Sequence, residues 1–316
     1  MKILFSADLH IKLGQKNVPS DWAMNRFEML IDQFAKIQEH ADIVILGGDI
    51  FDKLPNMAEL EVYFNLISIF NRPTFIIPGN HEALKKDTTF LTQLKFVSAA
   101  VNPKVCILDD YFTFAGVDFI PYNKLKDFEK NGYPFSSQIL VSHFRAEIPP
   151  HVKPEVDLSI FDRWQTVLAG DLHSYDNCQR NILYPGSPVT TSFHRNVVDT
   201  GVILLDTDTM AHEWIKLELP QLLVETVRAG EPMPATDYHH TIYEVEGDLA
   251  ELSNMEDNAL LSKKVVKRNI DTALMLDPNM TLAAEVSEYL QYILQLNDKA
   301  IEDALKELST YANKFS

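Results

Sequence analysis

Short apolar runs rich in β-branched residues recur up to about residue 216, and turn signals and amphipathic stretches separate them. The runs are Lys2 to Ala7, Ile43 to Leu46, Thr74 to Ile77, Gln138 to Val141, Thr166 to Ala169 and Val202 to Leu205. Runs of this kind are typical of strands that are buried on both faces. Apolar residues at helical spacing predict one helix from Asp21 to His40, with Ser20 as its N-cap, and another around Leu60 to Phe70. This alternation predicts an α/β domain of packed layers.

Five of these runs end within a few residues of side chains that can bind metal ions. The side chains are Asp8, His10, Asp49, Asp52, Asn80, His81, Glu82, His143, Asp171 and His173. Loops that leave the carboxyl ends of strands in an open α/β sheet gather at one edge, so we expect these side chains to converge. Any one of them alone is equally typical of a helix cap, a turn or a satisfied polar group.

The ligand types in this set indicate a divalent cation site. Carboxylate oxygens mixed with neutral imidazoles suit Mn²⁺, Fe²⁺, Zn²⁺ or Mg²⁺. The set is too large for one ion, and a carboxylate such as Asp49 could bridge two. Two adjacent ions can activate a water molecule and neutralise the oxygens of a phosphodiester. The sequence therefore predicts a hydrolytic site.

A second, smaller part of the chain follows Leu219-Pro220. The stretch AGEPMPATD, residues 229–237, reads as a connection, and Thr241 to Val245 reads as a strand. Apolar residues at helical spacing then predict a terminal helical pair over 281–296 and 301–315. We predict a catalytic domain at 1–218, a smaller second domain, here called the capping domain, at 219–272 and C-terminal helices at 273–316. A basic cluster in the capping domain is either a solvated face or a nucleic-acid contact; it consists of Lys263, Lys264, Lys267 and Arg268.

The metal-type blocks resemble the signature of the calcineurin-like metallophosphoesterases, which is DxH, GDxxD, GNH(D/E), a lone His and GHxH. Here the blocks read Asp8-Leu9-His10, Gly48-Asp49-Ile50-Phe51-Asp52, Gly79-Asn80-His81-Glu82, His143 and Gly170-Asp171-Leu172-His173. The stretch YPGSPVTTSFHR, Tyr184 to Arg195, is similar to a block in SbcD-type DNA nucleases, and the chain looks most like their bacteriophage recombination relatives. The resemblance implies a two-sheet α/β sandwich flanked by helices, a small α+β capping domain and a C-terminal helical pair.

The resemblance also implies a ligand scheme. It places Asp8, His10, Asp49 and His173 around one ion, and Asp49, Asn80, His143 and Asp171 around the other. His81 would act near the scissile phosphate, with Asp52 fixing its imidazole, and Glu82 would be structural. Asp171 replaces the first His of GHxH, and this harder ligand favours Mn²⁺ or Mg²⁺ over Zn²⁺.

By the same resemblance the chain would be a metal-dependent double-strand exonuclease and single-strand endonuclease. It would be the nuclease subunit of an SbcC/SbcD-type recombination and repair complex, binding an SbcC-type ABC ATPase through its C-terminal helices and forming a homodimer. Side chains near the site that could contact DNA are Lys12, Arg145, His194 and Arg195. The alternatives are a phosphoprotein phosphatase, a cyclic-nucleotide phosphodiesterase or a non-catalytic scaffold, and the terminal helices could instead cap this chain's own core.

The charge balance is the main objection to a nucleic-acid enzyme. The formal net charge is −17, whereas duplex binding usually draws on a basic face. Bound cations and a basic partner would offset this charge, so we expect weak DNA binding by this chain alone. The two cysteines, Cys106 and Cys178, indicate no disulfide framework. No apolar run is long enough to span a membrane, so we expect a cytoplasmic protein, in the host cytoplasm if the source is viral.

Overall fold

A computed structural model describes residues 1–85, 87–236, 238–266, 280–294 and 296–312, without the side chains of 310–312. The chain forms two compact units. The first comprises residues 1–226, 232–244 and 258–262, and the second comprises 227–231, 245–257 and 263–316. The domain limits expected at 218 and 272 stay a prediction.

The described residues contain sixteen strands and seven α-helices. The strands are β1 (Lys2–Ser6), β2 (Ile43–Gly47), β3 (Thr74–Ile77), β4 (Ala83–Lys85), β5 (Thr88–Thr89), β6 (Val105–Ile107), β7 (Phe112–Phe114), β8 (Val117–Ile120), β9 (Ile139–His143), β10 (Thr166–Gly170), β11 (Ile182–Leu183), β12 (Gly201–Asp206), β13 (His212–Lys216), β14 (Leu222–Arg228), β15 (His240–Gly247) and β16 (Leu261–Val266). The helices are α1 (Ser20–Ile37), α2 (Met57–Ser68), α3 (Leu91–Val101), α4 (Tyr122–Asn131), α5 (Leu249–Ser253), α6 (Leu282–Glu288) and α7 (Asp298–Ala312).

Two sheets dominate the first unit. One has six strands in the order β13-β12-β1-β2-β3-β6, and the other has five in the order β11-β10-β9-β8-β7. Strands β1, β2, β3 and β6 run parallel, as do β8, β9, β10 and β11. The carboxyl ends of the central strands of each sheet therefore lie at one edge, which is where loops of distant sequence can meet.

The inner faces of the two sheets share one apolar core. Ile3 and Phe5 of β1 belong to the same buried cluster as Val117 of β8 and Val141 of β9. The intervening residue Leu4 points to the opposite face, where it packs with α1, α2 and α3. Helix α4 belongs to a third cluster, together with outward residues of the five-stranded sheet. The predicted two-sheet α/β sandwich flanked by helices is confirmed.

The strands predicted from apolar runs agree with the structure to within two residues at each end. The predicted N-cap at Ser20 is wrong, because Pro19 occupies the cap position and Ser20 is already helical. The hairpin of β7 and β8 was not predicted. Its turn, Ala115-Gly116, has φ angles of 48° and 81°. Such angles are typical of two-residue hairpin turns.

The C-terminal part contains a third sheet, in the order β14-β15-β16, and the predicted helical pair. The first helix of the pair consists of α6 followed by a π-helical turn, Tyr289–Ile293, and α7 is the second. In the basic cluster, Lys264 forms an ion pair with Asp257 at 3.4 Å, while Lys267 and Arg268 lie outside the described residues. Cys106 and Cys178 are free thiols. Among the described segments, the helices are too short or too polar to traverse a bilayer.

Candidate metal centre

The predicted ligands come together at the carboxyl ends of β1, β2, β3, β9 and β10: His143 is the last residue of β9, and the others lie in the loops that follow the other four strands. Three overlapping groups have ligand atoms within 4.8 Å of one another. These groups are Asp8, His10 and His173; His10, Asp49 and His81; and Asp8, Asp49 and His143. The convergence expected from the strand ends is therefore present in the geometry.

The first group faces inward from the loops after β1 and β10. His10 Nε2 lies 3.1 Å from His173 Nε2, and His173 Nε2 lies 4.0 Å from Asp8 Oδ1. The outer nitrogen of His173, Nδ1, lies 3.2 Å from the hydroxyl of Thr191. This contact orients the imidazole so that Nε2 points into the cluster.

Asp49 lies at the centre of the cluster. Its Oδ2 is 3.6 Å from His10 Nε2, and its Oδ1 is 3.5 Å from His143 Nε2. One carboxylate oxygen thus faces each side of the cluster. Asp49 would therefore be able to reach a divalent cation on either side of the cluster.

The other side of the cluster is formed by Asn80, His143 and Asp171. The Asn80 amide donates to Asp171 Oδ1 at 2.9 Å, and His143 Nε2 is 3.8 Å from the same oxygen. The main-chain N–H of Asp171 donates to both oxygens of Asp8, at 3.0 and 3.1 Å. All seven predicted ligand residues therefore line one continuous cluster.

Three buried side-chain atoms of this cluster have no hydrogen-bond partner among the described residues: Asn80 Oδ1, His143 Nε2 and His10 Nδ1. His143 Nδ1 lies 2.8 Å from the Gly47 carbonyl, so the proton is on Nδ1 and the lone pair of Nε2 faces the cluster. Buried polar atoms are rarely left unpaired, and divalent cations bind both of these atom types. The residues present therefore fit a divalent cation.

The electrostatics of the cluster favour the same conclusion. Burial, with His173 and His81 as lesser causes, lowers the pKa of His10 to about 2. Burial also lowers the pKa of His173 to about 4 and raises that of Asp49 to about 6. Neutral imidazoles are metal ligands, and crowded carboxylates need positive charge nearby. A bound cation would relieve the crowding.

Several of these residues adopt an unusual backbone conformation. Asp8, His10, Asp49 and Asp171 have φ angles of 58°, 44°, 50° and 101°. Residues other than glycine rarely occupy this region, and such strain is concentrated at functional sites. Gly79 is needed beside them because a Cβ there would lie 2.2 Å from Asp49 Oδ1.

His81 lies at the rim of the cluster. Its Nε2 is 3.9 Å from Asp49 Oδ2, and its Nδ1 is 2.6 Å from the main-chain oxygen of Asp52. Burial opposes the charge on the imidazole, but Asp49 and the Asp52 carbonyl outweigh it and raise the pKa of His81. The expected partnership with Asp52 therefore runs through its main chain, whereas its carboxylate pairs with Lys12 Nζ at 2.8 Å.

Glu82 contributes more to the site than sequence reasoning showed. Its buried carboxylate accepts main-chain N–H groups from Asp49 at 3.0 Å, Phe51 at 2.9 Å and Gly79 at 2.8 Å. It thereby joins the loops after β2 and β3. The sequence shows Glu82 directly after His81. It does not show that the Glu82 side chain binds main-chain groups, because such contacts require no particular partner residue.

The predicted DNA-contacting residues occupy different settings. Arg145 is exposed and close enough to Asp171 to lower the pKa of that carboxyl, although burial raises it overall. His194 Nε2 lies 3.4 Å from the Ser192 hydroxyl. Arg195 forms an ion pair with Glu244 at 2.6 Å. Their contact with DNA stays a prediction.

Comparison with known proteins gives three findings. The family model for calcineurin-like phosphoesterases matches residues 1–194. A probable exonuclease subunit 1 from Escherichia phage T5 is 37% identical over 100% of both chains. A phosphoesterase-like protein, 244L, of invertebrate iridescent virus 6 is 25% identical over 65% of this chain and 75% of its own length.

Among solved structures, an archaeal phosphodiesterase aligns over 69% of this chain and 100% of its own, with 15% identity and a TM-score of 0.39. The family model covers more than half of the chain, and the phage relative is similar from end to end. The chain therefore belongs to the calcineurin-like phosphoesterase family, whose members are enzymes that hydrolyse phosphate esters with divalent metal ions.

Proposed function

We propose that this protein is a metal-dependent DNA nuclease that hydrolyses phosphodiester bonds, acting as a double-strand exonuclease and a single-strand endonuclease. The observation that carries the proposal is the cluster around Asp49, in which buried, unpaired acceptor atoms and neutral imidazoles meet crowded carboxylates. DNA is the proposed substrate because the end-to-end phage relative carries the name of an exonuclease subunit.

The proposed ligand scheme assigns every residue of the cluster. Asp8, His10 and His173 would hold one ion, and Asn80, His143 and Asp171 would hold the other, with Asp49 between them. The bound ions would activate a water nucleophile and neutralise the non-bridging oxygens of the phosphodiester. The chain itself fixes the two sets relative to each other through the bond from the Asp171 N–H to Asp8.

His81 is the proposed proton donor to the leaving oxygen. The Asp52 carbonyl binds Nδ1, so Nε2 is the nitrogen that faces the cluster. The raised pKa of His81 favours the protonated imidazole. That form can donate a proton from Nε2, as a general acid requires. Lys12 holds the Asp52 carboxylate and so steadies the loop that supplies the carbonyl.

The experiment that tests the nuclease proposal uses end-labelled duplex DNA and circular single-stranded DNA with Mn²⁺, Mg²⁺ or a chelator. The parent should cut both substrates only with metal. Asp49→Asn should lose activity together with metal binding, while His81→Asn should lose activity but keep the metal. Exposed Asp32→Asn and His151→Asn serve as matched controls. Cleavage in chelator, or full activity of Asp49→Asn, would contradict the proposal.

The C-terminal helices are the proposed docking site for an SbcC-type ABC ATPase subunit. Large apolar side chains on the first helix of the pair are exposed: Leu282 by 63%, Tyr289 by 46%, Tyr292 by 51% and Leu294 by 48%. Exposed apolar stripes of this kind mark partner surfaces. The double variant Tyr289→Asp and Leu294→Asp should abolish co-purification with the ATPase while metal-dependent hydrolysis persists. Unchanged co-purification would rule out this surface.

We also propose that the protein forms a homodimer and acts in the host cytoplasm. Phe96 is 90% exposed on α3, and Val97 and Val101 of the same helix are 40% and 42% exposed. An apolar patch on a helix is a plausible self-association surface. Sedimentation analysis should show a dimer for the parent and a monomer for Phe96→Asp; a monomeric parent would remove this part of the proposal.

A further inference from the structure

A cleft with a volume of about 490 Å³ opens beside the metal cluster. This falls within the range of roughly 300 to 1,000 Å³ that is usual for small-molecule sites. Two stretches of the chain supply most of the lining, one from His173 to Asn177 and the other from Ser187 to Ser192. The second stretch belongs to the YPGSPVTTSF segment, which supplies none of the proposed metal ligands.

The cleft and the metal cluster share His173. Its Nε2 faces His10, while its Nδ1 contacts Thr191, which also lines the cleft. The Ser187 hydroxyl, which also lines the cleft, donates to the carbonyl of Asp8 at 2.6 Å. A group bound in the cleft would therefore be a direct neighbour of a phosphate held at the cluster.

Trp214 forms a fixed aromatic wall. Its Nε1 donates to the Pro185 carbonyl at 2.9 Å, and its ring lies 5.4 Å from that of Tyr175. Gly201 makes room for it, because a Cβ there would lie 2.5 Å from the indole. The indole is therefore held in place by its surroundings before anything binds.

The chemistry of the lining selects against phosphate. Among the described residues, those that line the cleft include Ser, Thr, Asn, Asp and His but neither lysine nor arginine. Phosphate groups are usually contacted by lysine and arginine, whereas bases are read by hydroxyls, amides and carboxylates and stack on aromatic rings. Asp176 in the lining can accept a hydrogen bond from an N–H group of a base.

We propose that this cleft binds the nucleobase of the nucleotide adjoining the scissile phosphodiester, an inference that rests on the proposed nuclease function. The base would stack against Trp214, and the hydroxyl of Ser192 also lines the cleft. The YPGSPVTTSF stretch would then recognise the substrate, and the loops carrying Asp8 and His173 would receive its phosphate.

The test compares two kinds of phosphodiester. Thymidine 5′- and 3′-(4-nitrophenyl) phosphates carry a base, whereas bis(4-nitrophenyl) phosphate carries none. Asn177→Trp should fill the cleft and Trp214→Ala should remove its wall, while Trp214→Phe keeps an aromatic ring. Asn131→Trp on α4 is the matched control, since Asn131 is exposed and outside the cleft lining.

Asn177→Trp and Trp214→Ala should raise KM for at least one thymidine ester about fivefold or more, the lower bound for losing one base stack. Their hydrolysis of bis(4-nitrophenyl) phosphate should equal the parent's, and Trp214→Phe should stay close to the parent. Unchanged KM for both thymidine esters, or an equal loss on the substrate without a base, would overturn the cleft proposal.

Calorimetric titration with thymidine 5′-monophosphate and Mn²⁺ separates this inference from the nuclease proposal. Binding by the parent and by Asn131→Trp, with loss in Asn177→Trp, would support the cleft even if no substrate were hydrolysed. Equal binding by the parent and Asn177→Trp, or no binding by the parent, would overturn it. A parent that binds the nucleotide in the cleft but cleaves nothing would contradict only the nuclease proposal.

Discussion

Glu82 stabilises the loops of the candidate metal site through contacts with main-chain groups. Its carboxylate holds the main-chain N–H groups of Asp49 and Gly79, and Asp49 sits in a left-handed conformation. Without this acceptor the two loops would leave buried donors unpaired. The central position of Asp49 in the cluster therefore depends on Glu82 as well as on its own side chain.

We predict that Glu82→Gln lowers the free energy of unfolding by about 1 to 3 kcal/mol, the cost of a buried donor left without its acceptor. The glutamine side chain has an NH2 group in place of one carboxylate oxygen. At least one main-chain N–H would therefore face another donor instead of an acceptor. Urea denaturation of the metal-free protein measures this, with exposed Glu61→Gln on α2 as the control. Equal midpoints for the parent and Glu82→Gln would show that the main-chain contacts contribute nothing.

The pH dependence of the site follows from Asp49. Burial raises the pKa of Asp49 from its ordinary 3.8 to about 6 in the metal-free protein. Because the folded pKa is the higher one, the associated stability is fully present below 3.8 and is lost as pH rises through about 6. A cation binds the ionised form, so metal affinity should change in the opposite direction.

We therefore predict that Mn²⁺ affinity increases from pH 5 to pH 7, while the contribution of Asp49 to the stability of the metal-free protein falls over the same range. Calorimetric titration at each pH measures the affinity, and thermal melting in chelator measures the stability. Asp49→Asn should weaken Mn²⁺ binding. It should also remove the contribution of Asp49 to the pH dependence of both the Mn²⁺ affinity and the stability. A parent whose Mn²⁺ affinity is the same at pH 5 and pH 7 would contradict the assignment.

Asp171 sets the expected choice of metal. A carboxylate at this position is harder than the histidine of GHxH, which favours Mn²⁺ or Mg²⁺ over Zn²⁺. Asp171→His should shift the ratio of activities towards Zn²⁺, as measured by metal titration of hydrolysis. The conservative variant Asp171→Asn separates charge from ligand type. Maximal turnover of the parent with Zn²⁺ alone would refute the preference.

The identities of the candidate ligands could be predicted from the sequence because each follows an apolar run that forms a buried strand. Their backbone conformations could not, since nothing in LFSADLH indicates that Asp8 and His10 have positive φ angles. The role of Asp52 was also hidden, because its contact with His81 uses a carbonyl that every residue has. Main-chain contacts depend on the fold and leave little trace in residue types.

At the scale of elements, α2 is tied to the loop that follows β1. Asn56 and Glu59 form a reciprocal cap at the start of α2. The buried Glu59 carboxylate also accepts the main-chain N–H of Leu13 at 3.0 Å. Since that loop carries His10 and Lys12, the helix start helps to position the metal cluster.

We predict that Glu59→Ala destabilises the fold by about 1 to 2 kcal/mol, combining a lost cap contact with an unpaired N–H. Metal affinity should fall as well, because the loop after β1 loses its anchor. Denaturation and calorimetric Mn²⁺ titration measure the two effects, and exposed Glu61→Ala is the control. Loss of stability with unchanged metal affinity would limit Glu59 to the helix cap.

Strands that form continuous apolar runs could be predicted with accurate limits, whereas short exposed strands could not. Strands such as β2 and β10 are buried along their whole length, and their hydrophobic runs are unmistakable. Strand β7 has three residues, and all of them are exposed. Strand β4 has three residues and β5 has two, and only one of these five residues, Thr89, is buried. Such strands form because a neighbour supplies the pairing, so their own sequence carries little signal.

At the scale of the whole molecule, the net charge of −17 shapes how DNA can bind. Few phosphates can be neutralised by this chain alone, so few counterions are released on binding. The proposed cations at the cluster and a basic partner would supply the missing positive charge. The molecule is thus expected to acquire its DNA affinity by assembly.

We predict that the isolated protein binds duplex DNA weakly and with a shallow salt dependence, and that adding the ATPase partner steepens it. The salt dependence is the slope of the logarithm of the binding constant against the logarithm of the salt concentration. Fluorescence anisotropy of labelled duplex DNA in Ca²⁺, from low to high salt, measures this slope. Tyr289→Asp with Leu294→Asp should keep the shallow slope when the partner is present. Tight binding with a steep slope by the isolated chain would show that it has a basic DNA surface of its own.

The left-handed φ angles at Asp8, Asp49 and Asp171 also determine which inactive forms of the enzyme are useful for trapping a substrate complex. Asparagine tolerates this conformation nearly as well as aspartate, whereas alanine does not. Amide substitutions should therefore silence the enzyme while leaving the loops in place. Alanine at these positions would let the loops relax, and the site would then lose the conformation that a bound DNA strand requires.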